Sequence, residues 1–158
     1  VDQQGLQTEI DIEASPEKVW REITRFERYS EWNPFIVSAK GSGKTGERME
    51  IVIRPPGGAE FRFKNQIIDR VENEFLTWRG SFLVRGVFDG THFFRLEKTD
   101  RGTRLIHGEV FEGVLVGILA KLLAGTKRGF QLMNEALKVR CDRSCVCGHF
   151  SFFYFLSL

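Results

Sequence analysis

Three residues have the chemistry to move a proton: His92, His107 and Glu109. Histidine titrates near neutral pH, and a histidine–carboxylate pair supplies an acid and a base together. All three fall on runs whose alternation reads as strands. In 103–112, Thr103, Leu105, His107, Glu109 and Phe111 share one face, while Arg104, Ile106, Gly108, Val110 and Glu112 share the other. In 91–97, His92, Phe94 and Leu96 oppose Phe93, Arg95 and Glu97. If Phe94 and Leu105 point inward, period-2 geometry sends His92, His107 and Glu109 inward with them. A turn at Thr99-Asp100-Arg101-Gly102 makes the two runs a hairpin and brings the histidines within reach of each other. Such groups satisfy one another, orient a ligand, or carry acid–base catalysis; the first two weigh more than the third. Two histidines and a glutamate also suit an open metal site, but scattered strand positions lack motif spacing, so no metal and no cofactor is expected.

Two other stretches invite chemistry and do not sustain it. Ser38–Thr45, SAKGSGKT, departs from a phosphate-binding loop at its first position, and an alternating strand follows where a helix must begin. It reads as a hairpin turn. The tail Cys141–Leu158 carries Cys141, Cys145, Cys147 and His149 in a spacing too tight for a usual zinc pattern. Its apolar run 150–158 is far shorter than the roughly 20 residues of a membrane helix. Composition changes abruptly there, so 141–158 is set apart from a single domain over 1–140; a surface anchor, an added strand, and an altered reading frame or unspliced segment all fit it, the last being favoured.

The elements that must position the three residues follow in order. Leu6–Ile12 alternates as a strand. Ser15 and Pro16 open an amphipathic helix bearing Val19, Trp20, Ile23 and Phe26, with a short turn or second helix over 28–34 ending at Pro34. Strands are read at 35–39, 47–54, 61–71, 75–81, 91–97 and 103–112, joined by short links, with Arg85-Gly86 and Asp89-Gly90 punctuating the longest. Hairpin-sized links mean an antiparallel sheet. The segment 113–140 then closes the chain as a long helix with Leu115, Leu119, Leu122, Phe130, Met133 and Leu137 near helical spacing. A helix of that length needs a sheet beneath it.

The chain has 158 residues, 42% hydrophobic and 28% charged, enough for one domain with a real core. Its net charge of +2, with no basic run, gives no reason to expect nucleic acid as a partner. No secretory signal and no membrane-spanning run is visible, and all cysteines lie near the C-terminus, so a cytoplasmic protein is expected. Fifteen phenylalanines suggest either a broad core or an apolar cavity.

The element order, together with Ala14-Ser15-Pro16-Glu17-Lys18-Val19-Trp20, Trp32-Asn33-Pro34 and Phe88-Asp89-Gly90-Thr91-His92-Phe93, resembles the START-like helix-grip (SRPBCC) superfamily, in its polyketide cyclase/dehydrase and lipid-transport branch. The resemblance implies an α+β fold: a curved seven-stranded antiparallel sheet gripping the C-terminal helix, with two short helices after the first strand. It also implies an apolar cavity for a lipid-like or polyketide-like ligand. No catalytic residue carries over, because the family shares no triad. The cavity wall is expected from Trp32, Phe61, Phe63, Trp78, Phe82, Phe94, Leu119, Leu122, Phe130 and Met133, with His92, His107 and Glu109 at the ligand's polar end. Binding is favoured over catalysis. The alternatives are a cyclase/dehydratase with His107 or Glu109 as acid–base, His92 being a further catalytic candidate, and a chaperone-assisting interaction module; a homodimer is compatible with any of them.

Overall fold

The computed structural model describes residues 2–81, 87, 89–113 and 120–142, with side chains from residue 5 onward except 120–124. Strand β1 (Asp2–Ile12) leads into helix α1 (Pro16–Thr24), a 3-10 turn (Phe26–Arg28) and the one-turn helix α2 (Tyr29–Trp32). Strands β2 (Ile36–Lys40), β3 (Arg48–Ile53), β4 (Phe61–Val71), β5 (Phe75–Ser81), β6 (Asp89–Thr99) and β7 (Gly102–Gly113) follow, then helix α3 (Ala120–Asp142).

Local chemistry sets most of these boundaries. Ser15 caps α1 by accepting from the Lys18 amide at 3.4 Å, and Pro16 occupies a first-turn position whose missing N–H is no loss. The side chain of Asn33 accepts from the amides of Phe35 (3.0 Å) and Ile36 (2.8 Å), turning the chain out of α2 into β2. Asn73 takes a positive φ of 64° in the tight turn between β4 and β5, where asparagine is tolerated. SAKGSGKT is the β2–β3 hairpin: both strands pair antiparallel, as the sequence reading had it. Asp89-Gly90, expected in a loop, instead opens β6, paired with Ser81 and Gly80 of β5.

All seven strands form one antiparallel sheet in the order β1-β7-β6-β5-β4-β3-β2. The α1–α2 segment therefore carries the chain from one edge of the sheet to the other. Register shifts at Ile36/Ser38 and Ile67/Asp69 are β-bulges, which curl the sheet. Helix α3 lies in the curl, chiefly against β1, β7 and α1. Its buried stripe is Thr126, Phe130, Met133, Asn134, Leu137 and Cys141, at the spacing one helix face requires. The expected helix start at 113 differs: Gly113 ends β7, and 114–119 lie outside the described residues. At its other end α3 runs through Cys141 and Asp142, with Cys141 wholly buried; the rest of the tail, 143–158, lies outside the described residues.

One half of the concave face is a closed core, where Trp20, Ile23, Phe26 and Tyr29 meet Leu76, Leu96 and Leu105. The Tyr29 hydroxyl donates to the Ile23 carbonyl at 2.6 Å, which satisfies a fully buried phenol. Among the described residues the other half holds a small cavity.

Candidate ligand cavity

Strand register lays three cross-strand rows along the concave face. The innermost is Thr8, His107, Phe94 and Leu76; the middle is Leu6, Glu109, His92, Trp78 and Ile67; the outer is Phe111, Gly90, Gly80 and Asn65. Two glycines side by side in the outer row leave that stretch of wall without side chains. A Cβ on Gly80 would overlap the Asn65 side-chain oxygen, and one on Gly90 would overlap the Glu109 carboxyl. Asn65 and Glu109 thus lie down over bare backbone from opposite sides.

Above this floor is a cavity of about 50 Å3, room for a few waters. Phe35 and Ile36 line it from the start of β2, Ile51 and Ile53 from β3, Phe63 and Asn65 from β4, Trp78 and Gly80 from β5, Gly90 and His92 from β6, Glu109 and Phe111 from β7, and Thr126 from α3. Every strand residue in that set lies toward one end of the sheet. The lining is mostly apolar, and its titratable members among the described residues are His92 and Glu109.

Beneath the cavity runs a chain of buried polar groups. Thr8 Oγ1 donates to the His107 carbonyl at 3.1 Å, and Asn134 Nδ2 donates to Thr8 Oγ1 at 3.0 Å. Asn134 Oδ1 lies 2.7 Å from His107 Nδ1, and His107 Nε2 lies 3.1 Å from His92 Nε2. His92 Nδ1 faces Glu109 Oε2 at 3.7 Å. Rings clamp the chain in place: His92 stacks on Trp78 (centroids 4.4 Å apart, planes 7° apart), and His107 stacks on Phe130 (4.0 Å, 26°). Burial keeps these groups neutral, because a charge there would lose its hydration. It lowers His92 from 6.5 to about 3 and pushes Glu109 up from 4.5 to about 8. His107 is held well below its ordinary value by burial and then by the neighbouring His92, against the opposing pull of Asn134.

The expected hairpin therefore does bring both histidines and Glu109 to one buried face. Of the residues expected at the cavity, Phe63, Trp78, His92 and Glu109 line it. Phe94, His107, Phe130 and Met133 are fully buried in the layer behind and form core. Phe61, half-buried at the start of β4, is not part of the lining. Trp32 is not either: α2 is a single turn that lays its indole edge-on to Tyr29, beside a shallow surface groove with α3. Phe82 and Leu119 lie outside the described residues, as does the side chain of Leu122. Sequence reasoning missed Asn65, Asn134 and Thr8. Asn65 shares β4 parity with Phe61 and Phe63 and is buried; that parity was the available signal. Asn134, one position after Met133 on the apolar stripe, left a comparable trace. Among the described residues no three His, Cys, Asp or Glu are grouped as a metal site requires.

A curled antiparallel sheet gripping a C-terminal helix, with a mostly apolar cavity at one end, defines a helix-grip protein. The chain belongs to the polyketide cyclase/dehydrase and lipid transport family, whose profile matches residues 3–141. Among solved structures it is similar to protein MLL2253 from Mesorhizobium loti, at 21% identity and a TM-score of 0.72, covering 89% of this chain and 98% of that one. It is similar to the di-domain ARO/CYC StfQ from the steffimycin biosynthetic pathway, at 9% identity and TM-score 0.72, over 92% of this chain and 53% of that one. It is also similar to DynU16, a protein in the dynemicin biosynthetic locus, at 18% identity and TM-score 0.67, over 89% of this chain and 48% of that one. At these identities the likeness is one of fold. No curated protein sequence matches the chain. Among the described residues no helix is long and apolar enough to cross a membrane.

Proposed function

We propose that this protein binds a hydrophobic small molecule between the sheet and α3, with Glu109 and His92 at the ligand's polar end. The observation that carries this reading is the mostly apolar cavity at one end of the concave face, with His92 and Glu109 in its lining. Two adjacent glycines, Gly80 and Gly90, form its floor and give the Asn65 and Glu109 side chains room to lie over them. Family membership supports the same class of ligand. Apolar burial, at about 25 cal/mol per Å2, is the driving force, and an occupant larger than a few waters displaces wall side chains such as Phe63. The test is native mass spectrometry of the freshly purified full chain, followed by denaturing extraction. A retained mass released on unfolding is expected. Bare protein that also gives no thermal shift with fatty acids, sterols or aromatic polyketides would refute the reading.

A second reading, acid–base catalysis on a polyketide-like substrate, has one observation in its favour: Glu109 reaches the cavity with its pKa raised to about 8, so it holds a proton at neutral pH and could deliver it. His107 has both ring nitrogens engaged within the protein and is fully buried, so in this reading it acts only through His92. The family description gives the reading its substrate class. Loss of turnover in Glu109→Gln, with binding retained, is the expected signature; unchanged turnover would remove it.

A further inference from the structure

The polar chain beneath the cavity has a direction, and the direction can be deduced without seeing a hydrogen. It starts at the His107 backbone carbonyl, which can only accept. Thr8 Oγ1, at 3.1 Å from that oxygen, must therefore donate to it. The Thr8 oxygen is left as the acceptor for Asn134, which turns its NH2 toward Thr8 and its carbonyl toward His107. His107 Nδ1 must then carry a proton to meet that carbonyl. A neutral imidazole has one N–H, so His107 Nε2 presents a lone pair, and His92 Nε2, 3.1 Å away, must supply the proton between them. His92 in turn has its lone pair on Nδ1, the atom that faces Glu109. Burial, which keeps both rings uncharged, supports each step.

A carboxylate opposite a lone pair is repelled, whereas a carboxylic acid is not. We infer that this relay holds Glu109 as a hydrogen-bond donor, so that the cavity selects uncharged apolar molecules bearing a carbonyl oxygen at the inner end and turns carboxylates away. This inference rests on the proposed binding function and names the head group that function reads. The Glu109–His92 distance of 3.7 Å is too long for a hydrogen bond, which leaves the carboxyl proton available to an occupant. No lysine or arginine lines the cavity among the described residues. The nearby guanidinium of Arg79 is on the opposite face of the sheet, engaged with Asp89 and Glu112. Among the described residues an anionic ligand would meet no countercharge there, and a buried unpaired charge is strongly disfavoured. Asn134 is a positioning residue: it touches no cavity occupant and acts by setting the tautomer of His107.

The test has two parts, both on the full chain. Nitrogen-15 NMR of the histidine rings reads the tautomers directly. His107 protonated at Nδ1 and His92 at Nε2 is expected; the opposite pair would overturn the inference whatever the ligand. The second part compares 2-acetonaphthone, 2-naphthoate and 2-ethylnaphthalene, matched in size, by titration at pH 6.5. The ketone is expected to bind at least about tenfold tighter than the carboxylate, a difference of about 1.4 kcal/mol, and tighter than the hydrocarbon. Glu109→Gln should keep the ketone's advantage, because its amide still donates, and Glu109→Ala should lose it. Equal binding of all three probes would overturn this inference and leave the binding function standing. Failure of all three, with no co-purifying ligand, would remove both.

Discussion

The buried relay makes stability depend on pH in two opposite ways, and single substitutions separate them. His92 has its folded pKa lowered to about 3 from 6.5. Its contribution is present above pH 6.5 and is lost as pH falls toward 3, because the unfolded chain takes a proton that the folded chain refuses. Glu109 has its folded pKa raised to about 8 from 4.5. Its contribution is full below 4.5 and is lost as pH rises to about 8. Both side chains are well buried, 4% and 19% exposed, so solvent screening takes little from either effect. At about 1.4 kcal/mol per pH unit, moving from pH 7 to pH 5 removes about 2 kcal/mol through His92 and adds about 2–3 kcal/mol through Glu109. His107 acts in the same direction as His92. The assay is urea unfolding at both pH values for the wild type, His92→Gln and Glu109→Gln. Relative to wild type, His92→Gln should become less acid-sensitive by about 2 kcal/mol and Glu109→Gln more acid-sensitive by about 2–3 kcal/mol. If both variants keep the wild-type pH dependence within about 0.5 kcal/mol, the two groups titrate ordinarily and the relay as described is wrong.

Two further substitutions test the packing that shapes the cavity. A Cβ on Gly129 of α3 would overlap the ring of Phe35, itself buried edge-on against Phe130; Gly129→Ala should therefore destabilise by about 1–3 kcal/mol despite its better helix propensity. A stabilised Gly129→Ala in urea titration would mean that Phe35 can move aside. Asn33→Ala should cost about 1–3 kcal/mol, since it strips an acceptor from the Phe35 and Ile36 amides. A loss below about 0.5 kcal/mol would mean that this turn does not depend on its side chain.

The sequence by itself determined the element order, the antiparallel pairing and the inward face of the last hairpin. Those follow from local physics: period-2 alternation, the Ser15-Pro16 helix start, and links too short for a crossover. Because side chains on a strand alternate strictly, Phe94 and Leu105 carried His92, His107 and Glu109 to the concave face with them. Only the tertiary structure decided which of those groups reaches open space. His107 and Glu109 are two residues apart on one strand, yet Phe130 and Asn134 of α3 seal the first while Gly90 of β6 gives the second room to lie at the cavity. That difference depends on side chains brought in from distant segments, which periodicity within one strand does not record. The same holds for Trp32, whose aromatic character suggested a cavity wall and whose one-turn helix directs it onto Tyr29. The space itself is a long-range property: bulges that curl the sheet and two glycines on neighbouring strands open it, and each is an ordinary local feature until the register sets them side by side.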